Sequence, residues 1–220
     1  EQHIVPLVKK IQEQELNKLG KSQFKPWDTS VNPDGKAPLK PFKSGQEMLD
    51  KTVAIFEEID TKFAGFLKTM EEMKHFDLES KPGKSPGGYN YPLYETGAPF
   101  IFMNSVGSQN DFTTMVHEGG HAVHSFLTHH LELTAFKSFP SEIAELASMS
   151  MELLTMDHWD KVYDDSDDLY RAKKEQMEGT LTLLPWIAQI DAFQHWVYEN
   201  HNHSAVERTA YWMEINHRFG

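Results

Sequence analysis

Cysteine is absent from this 220-residue sequence. Its absence removes disulfides, thiol catalysis and thiolate metal sites together, and it fits a reducing compartment. No run of about 18 apolar residues occurs, so no membrane-spanning helix is expected. No basic segment followed by an apolar one opens the chain, so no signal peptide is visible. Positive charge is scarce: 21 Lys and Arg face 33 Asp and Glu, a formal net charge of −12. That balance argues against general binding to nucleic acid or to an anionic membrane, both of which need basic surface. There is no internal repeat and no low-complexity tract.

What is present describes a folded domain. The 14 Phe, 5 Trp and 10 Met are too much apolar mass to leave solvated, which excludes disorder as the main state. The length suffices for a sizeable core. The chain starts with Glu1 rather than Met and stops at Gly220 straight after a predicted helix, so a segment of a longer chain is expected. The 12 histidines are many, and their positions matter more than their number.

Periodicity and punctuation outline the elements. Residues 1–20 read as a helix with Ile4, Val8, Ile11, Leu16 and Leu19 apolar, ending at Gly20. Residues 26–45, with Pro26, Pro33, Pro38, Pro41 and Asn32-Pro33-Asp34-Gly35, form an irregular connection. Residues 46–75 predict one helix on Leu49, Val53, Phe56, Ile59, Phe63, Leu67 and Met70. Residues 80–98, with Lys81-Pro82-Gly83, Ser85-Pro86-Gly87-Gly88 and then Tyr89, Tyr91 and Tyr94, read as loop. Residues 99–106 are the best strand, and a plausible edge for pairing with a peptide. Asp111 is expected to cap a helix to about residue 130, and Ser141, after Pro140, another to about 158. The acidic run Asp164, Asp165, Asp167 and Asp168 precedes a further helix, where it meets the positive end of the dipole. Pro185 is expected to break that helix, with a second continuing to about 200. Ser204 and Glu207 form a capping-box pattern for the last one. The expectation is a mainly helical fold with a small β element before the most chemically loaded helix.

That helix carries His117-Glu118-Gly119-Gly120-His121. Residues four apart in a helix point the same way, so His117 and His121 can offer two imidazoles to one metal ion. Glu118, turned about 100° from His117, flanks the metal where a general base would act on a metal-bound water. Phe112, Met115, Val116, Gly119, Ala122, Val123, Phe126 and Leu127 form an apolar stripe on the opposite side. A catalytic zinc needs a third protein ligand and an open position. His124 would lie about 10 Å along the helix from His117, too far for the same ion without curling. Glu142, Glu145 and Glu152 share one face of the next predicted helix, packed by Ile143, Leu146, Met149, Leu153 and Met156. A carboxylate among apolar residues is costly unless paired, so one of these is expected to be a ligand and another the partner of a ligand histidine. Periodicity does not say which.

The run His117–Phe126 resembles the active-site helix of the oligoendopeptidase F and thimet oligopeptidase family of zinc peptidases. Pro140-Ser141-Glu142-Ile143-Ala144-Glu145-Leu146-Ala147-Ser148 resembles that family's second zinc-binding segment. Pro86-Gly87-Gly88-Tyr89, Pro99–Asn104 and Leu184–Trp196 are similar too. The resemblance implies Glu145 as third ligand, one Zn2+ per chain and Glu118 as base on a zinc-bound water. Beside it, the spacing leaves His124, Glu142 and Glu152 as candidate supports of the ligands, and the loop and strand offer Tyr89, Phe102 and Asn104 as candidate substrate contacts. The implied fold is mainly α, with zincin-like, thermolysin-type catalytic helices and a small β-sheet, part of a larger helical peptidase domain. The implied activity is cleavage of short peptides, usually in the cytoplasm, with neither nucleic acid nor membrane as partner. A single partial catalytic domain is expected over 1–220: a helical N-terminal part to 80, loop and strand over 81–110, zinc-binding helices over 111–158 and C-terminal helices from 159.

Two departures stand out. Position 119 is usually bulky in the family and is Gly here. The family's oxyanion-stabilising His and Tyr, C-terminal to this region, have no match, and His195, Tyr198, His201 and His203 do not supply one. The isolated chain is therefore expected to bind zinc and to be a weak or inactive peptidase alone. The alternative reading is a non-catalytic peptide-binding or scaffold domain that keeps a zinc site.

Overall fold

The structure, a computed structural model, describes residues 1–25, 27–28 and 31–219. Pro26, one of the prolines of the irregular connection, lies outside the described residues, as do Thr29, Ser30 and Gly220. In chain order the elements are α1 (Ile4–Leu19), α2 (Gly45–Ile59), α3 (Thr61–Glu72), β1 (Phe76–Glu79), β2 (Gly88–Tyr91), β3 (Phe100–Ser105), α4 (Gln109–Thr128), α5 (Thr134–Lys137), α6 (Ser141–Thr155), a 3-10 turn (Met156–Lys161), α7 (Ser166–Glu199) and α8 (Ala205–Phe219). They fall into two compact units, Glu1–Ala37 with Arg171–Gly220, and Pro38–Tyr170.

The unit Pro38–Tyr170 has a core of helix side chains. Met48, Ile55 and Phe56 of α2, Leu67 and Met70 of α3, and Phe112, Met115 and Val116 of α4 are all fully buried. The buried Trp159 meets Phe112 edge to face at 5.6 Å. The predicted single helix over 46–75 is two. Asp60 adopts extended backbone between α2 and α3, and its carboxylate accepts the Lys62 N–H at 2.8 Å, capping α3. The apolar period runs on across the break, because the same core faces both helices.

The sheet has the order β1-β3-β2, with β1 parallel and β2 antiparallel to β3. β3 is therefore central, paired on both sides, and is not the edge that its sequence suggested. Ile101, Met103 and Ser105 point into the core while Phe100, Phe102 and Asn104 stay half-buried, the alternation of a two-faced strand. β2 lies within the stretch read as loop. A Cβ on Gly88 would stand 2.9 Å from Thr114 Cγ2 of α4, so this glycine lets the sheet close on the helix.

α4 is capped by Ser108 rather than Asp111. The Ser108 hydroxyl accepts the Asp111 N–H at 3.1 Å, and the Asp111 carboxylate accepts the Ser108 N–H at 2.9 Å, a reciprocal box. α6 begins at Ser141 with Pro140 in the cap position and no side-chain cap. Its buried residues are Ser148, Met151 and Thr155, whereas Ile143, Leu146 and Leu153 are exposed. The packing face thus lies away from most of the predicted apolar residues, because α6 meets α4 through small side chains.

In the other unit, α1 ends at Gly20, whose φ of 65° continues the chain in the left-handed region. α7 runs through Pro185 without a break, against expectation. Proline forfeits one backbone hydrogen bond, but the second half of α7 is held against α8. Trp212 meets Trp186 and Phe193 edge to face, and Gln189 donates to Asn216 at 3.2 Å. Ser204 and Glu207 form the expected box at the start of α8, the Ser204 N–H reaching the Glu207 carboxylate at 2.8 Å.

Candidate metal centre

Two consecutive glycines set the distance between the helices that build the site. A Cβ on Gly120 would stand 2.8 Å from Ser148 Cα and 3.0 Å from Met151 Cβ of α6. A Cβ on Gly119 would stand 2.8 Å from Phe56 Cζ of α2. Paired glycines in mid-helix cost roughly 1 kcal/mol each against Ala, and here close packing on both sides offsets that cost. The contact at Ser148 has a consequence for α6. Glu145 lies one turn before it and Glu152 one turn after, so both carboxylates are presented to α4.

His117 receives both of them. Its Nε2 lies 3.1 Å from Glu145 Oε2 and its Nδ1 lies 2.6 Å from Glu152 Oε1. His121 Nε2 lies 3.8 Å from Glu145 Oε1, and the two imidazoles stand nearly perpendicular with centroids 4.8 Å apart. One ligand atom each from His117, His121 and Glu145 lies within 4.8 Å of the others. A tetrahedral zinc with bonds of about 2.0–2.1 Å separates its ligand atoms by roughly 3.3 Å, and the observed 3.1 and 3.8 Å bracket that value. Two imidazoles and one carboxylate form the donor set of a hydrolytic zinc site with a position left for water. The residues fit the ion. Glu145 is steadied by the Ser148 hydroxyl, which donates to its Oε2 at 3.3 Å.

Glu118, between the candidate ligands His117 and His121, is buried. Burial pushes its carboxyl above the ordinary range; Glu145 adds to the rise, while His117 and the backbone amide of Asn90 oppose it. Burial alone would lower the His117 imidazole, but the hydrogen bond to Glu152 and the charges of Glu118, Glu152 and Glu145 outweigh it and leave it raised. Burial, reinforced by the His117 charge, lowers His121. The Asn90 side chain of β2 donates to the Glu118 carbonyl at 3.3 Å, tying the sheet to the helix at the residue beside His117. Asn90 and Ser148 were not foreseen. Ser148 has a sequence signal, a small residue midway between two carboxylates seven apart, whereas Asn90 has none.

The other anticipated residues are distributed as follows. His124 stacks on Phe139 with centroids 3.9 Å apart, and its buried Nδ1 has no hydrogen-bond partner among the described residues. Glu142 is exposed and outside the ligand cluster. Tyr89 stacks on Phe102 at 5.1 Å, and the Lys84 ammonium lies 4.5 Å from that ring's centroid, so Phe102 is held within the sheet surface. The Asn104 amide donates to the Lys84 carbonyl at 3.0 Å. Of the apolar stripe on α4, Leu127 is exposed rather than buried.

The model of peptidase family M3 matches residues 1–220. The chain is 26% identical over 167 residues to a plasmid-encoded oligoendopeptidase F of Lactococcus lactis subsp. cremoris, covering 76% of this chain and 25% of the relative. It is 29% identical over 153 residues to the oligopeptidase PepF of Bacillus subtilis (strain 168), covering 68% of this chain and 23% of the relative. Among solved structures, PZ peptidase A with an inhibitor superposes with a TM-score of 0.88 at 30% identity, covering 99% of this chain and 38% of that one. The chain thus spans about a quarter of the length of these curated relatives. A putative oligoendopeptidase F from Bacillus anthracis str. Ames superposes with a TM-score of 0.90 at 26% identity, covering 99% of this chain and 40% of that one, so the helical fold with its small sheet is that of an oligoendopeptidase structure.

Proposed function

We infer that this chain, which belongs to peptidase family M3, carries the metal and base of a zinc-dependent endopeptidase for short peptides. The observation that carries the reading is the convergence of His117, His121 and Glu145 within 4.8 Å, with the buried Glu118 beside them. His117, through Nε2, His121 and Glu145 would hold the ion. When bound, zinc supplies Lewis acidity, which eases deprotonation of water and polarises a scissile carbonyl.

The remaining work falls to side chains of the chain itself. Glu152 accepts the Nδ1 proton of His117, which fixes the tautomer that leaves Nε2 free for the metal. Glu118 takes the proton of the attacking water and passes it to the leaving amine. Burial favours that role, because a carboxylate lifted towards neutrality is a better proton carrier. The absence of cysteine accords with action in the cytoplasm. No helix among the described residues is long and apolar enough to cross a membrane.

The test is a pair of measurements on one variant. Glu118→Gln should keep its zinc and lose hydrolysis of an internally quenched peptide. Cleavage that survives Glu118→Gln would contradict the reading.

A further inference from the structure

α4 continues past His121, and beyond the metal ligands its side borders a second concavity. A small, partly open pocket of about 30 Å³ is lined by the loop Pro92–Pro99, by Ser125, Thr128 and His129, and by Lys137 and Phe139. Ser125 lies four residues beyond His121 and shares its face of the helix, and its hydroxyl donates to the His121 carbonyl at 3.0 Å. At about 1.5 Å of rise per residue, the pocket begins about 6 Å past His121 and reaches about 10 Å at Thr128. An extended peptide advances about 3.3 Å per residue. The pocket is therefore in reach of a substrate residue two or three positions from the bond cut at the metal.

Its walls are fixed. Phe139 stacks on His124, one turn past His121, with centroids 3.9 Å apart. The loop closes on His129 at Gly97, where φ is 78° and a Cβ would fall 2.4 Å from the imidazole. No side chain larger than hydrogen fits there. Into this mostly apolar wall the fold sets one cation. Lys137, at the end of α5, is half-buried and has neither an ion pair nor a hydrogen bond among the described residues. That is unexpected in a chain with 33 acidic residues against 21 basic. A partly desolvated ammonium without a counter-charge is costly, and a ligand carboxylate would offset the cost.

We propose that this pocket receives a carboxylate of the peptide, two or three residues from the scissile bond, paired with Lys137. The proposal rests on the peptidase reading above. The carboxylate is either the C-terminal one of a short peptide or the side chain of Asp or Glu.

The experiment measures binding of fluorescent peptide hydroxamates to the zinc-loaded chain. The hydroxamate fixes the register at the metal. The series places Glu or Gln two or three residues away and ends in a free or amidated C-terminus. The charged member should bind about fivefold tighter than its neutral counterpart, the worth of a partly exposed ion pair. Lys137→Met should erase the difference, Lys137→Glu should invert it, and Lys137→Arg should retain it, with neutral peptides bound equally by all four chains. Sensitivity to amidation identifies the C-terminal source, and sensitivity to Glu against Gln the side-chain source. Binding of every peptide without regard to charge or to residue 137 would overturn the proposal and leave the peptidase reading standing. Failure of every peptide to bind a chain that carries its zinc would overturn both.

Discussion

Glu152 Oε1 lies 2.6 Å from Nδ1 of His117, while Nε2 of the same ring lies 3.1 Å from Glu145. One imidazole therefore has a carboxylate on each nitrogen, and the two carboxylates have different tasks. Glu152 is half-buried and holds the ring; Glu145 is more exposed and faces the position the metal would take. Removing a carboxylate that orients a ligand histidine typically costs 10–100-fold in metal affinity, roughly. Glu152→Ala should weaken zinc binding by about that factor without abolishing it, and Glu152→Gln, which keeps an acceptor, should lose less. Competition with a chelating dye measures both, and unchanged affinity in Glu152→Ala would remove Glu152 from the account.

The glycine pair predicts a graded stability series. Gly120→Ala drives a methyl to 2.8 Å from the backbone of Ser148. Overpacking of this kind costs about 1–3 kcal/mol, more than the roughly 1 kcal/mol of helix propensity gained, so thermal stability should fall and the carboxylates of α6 should move away from the histidines. Gly119→Ala meets only the far end of the Phe56 ring at 2.8 Å, which can shift, and should be milder. Gly179→Ala in α7 meets nothing within 4 Å and should stabilise by about 0.5–1 kcal/mol. Circular dichroism melts of the three variants check the order.

Helical geometry explains why the convergence of the candidate site residues could be read from the sequence. His117 and His121 are four apart and must share a face once Phe112, Met115 and Val116 mark the buried side. Glu145 and Glu152 are seven apart, so the spacing put both towards α4 but was silent about their roles, which depend on where the two helices touch. That contact is Gly120 against Ser148, a non-local fact. The same reason hid the exposure of Ile143 and Leu146: α6 packs through small residues, and apolar periodicity alone is misleading there. β1 and β2 are four residues each and rich in Gly, Asn and Asp, too short and too polar to register. The central place of β3 is set by strand order, which no local pattern encodes. Asp60 and Pro185 show the converse failure, since core contacts carried the apolar period past a break in one case and held a helix through a proline in the other.

Acid should loosen the sheet end of the site-bearing unit. The Lys84 ammonium pairs with the Asp77 carboxylate at 3.0 Å and is itself almost fully buried. That hydrogen bond, with lesser help from Lys81, holds Asp77 below its ordinary value of 3.8. A lowered carboxylate contributes stability that is present above 3.8 and is lost as the pH falls through the lowered folded value. Lys84→Met should therefore lower the melting temperature at neutral pH, and the gap to the parent should narrow below pH 3.8. A gap that stays constant down to the acid limit would show that the ion pair contributes nothing there.

Zinc content after exhaustive dialysis against trace zinc, read by elemental analysis on the unaltered chain, Glu145→Ala and Glu142→Ala, bears on the ligand set most directly. The expected result is one zinc per chain for the unaltered protein and for Glu142→Ala, and little or none for Glu145→Ala. Full zinc in Glu145→Ala, or its loss in Glu142→Ala, would contradict the assignment of His117, His121 and Glu145 as the metal ligands.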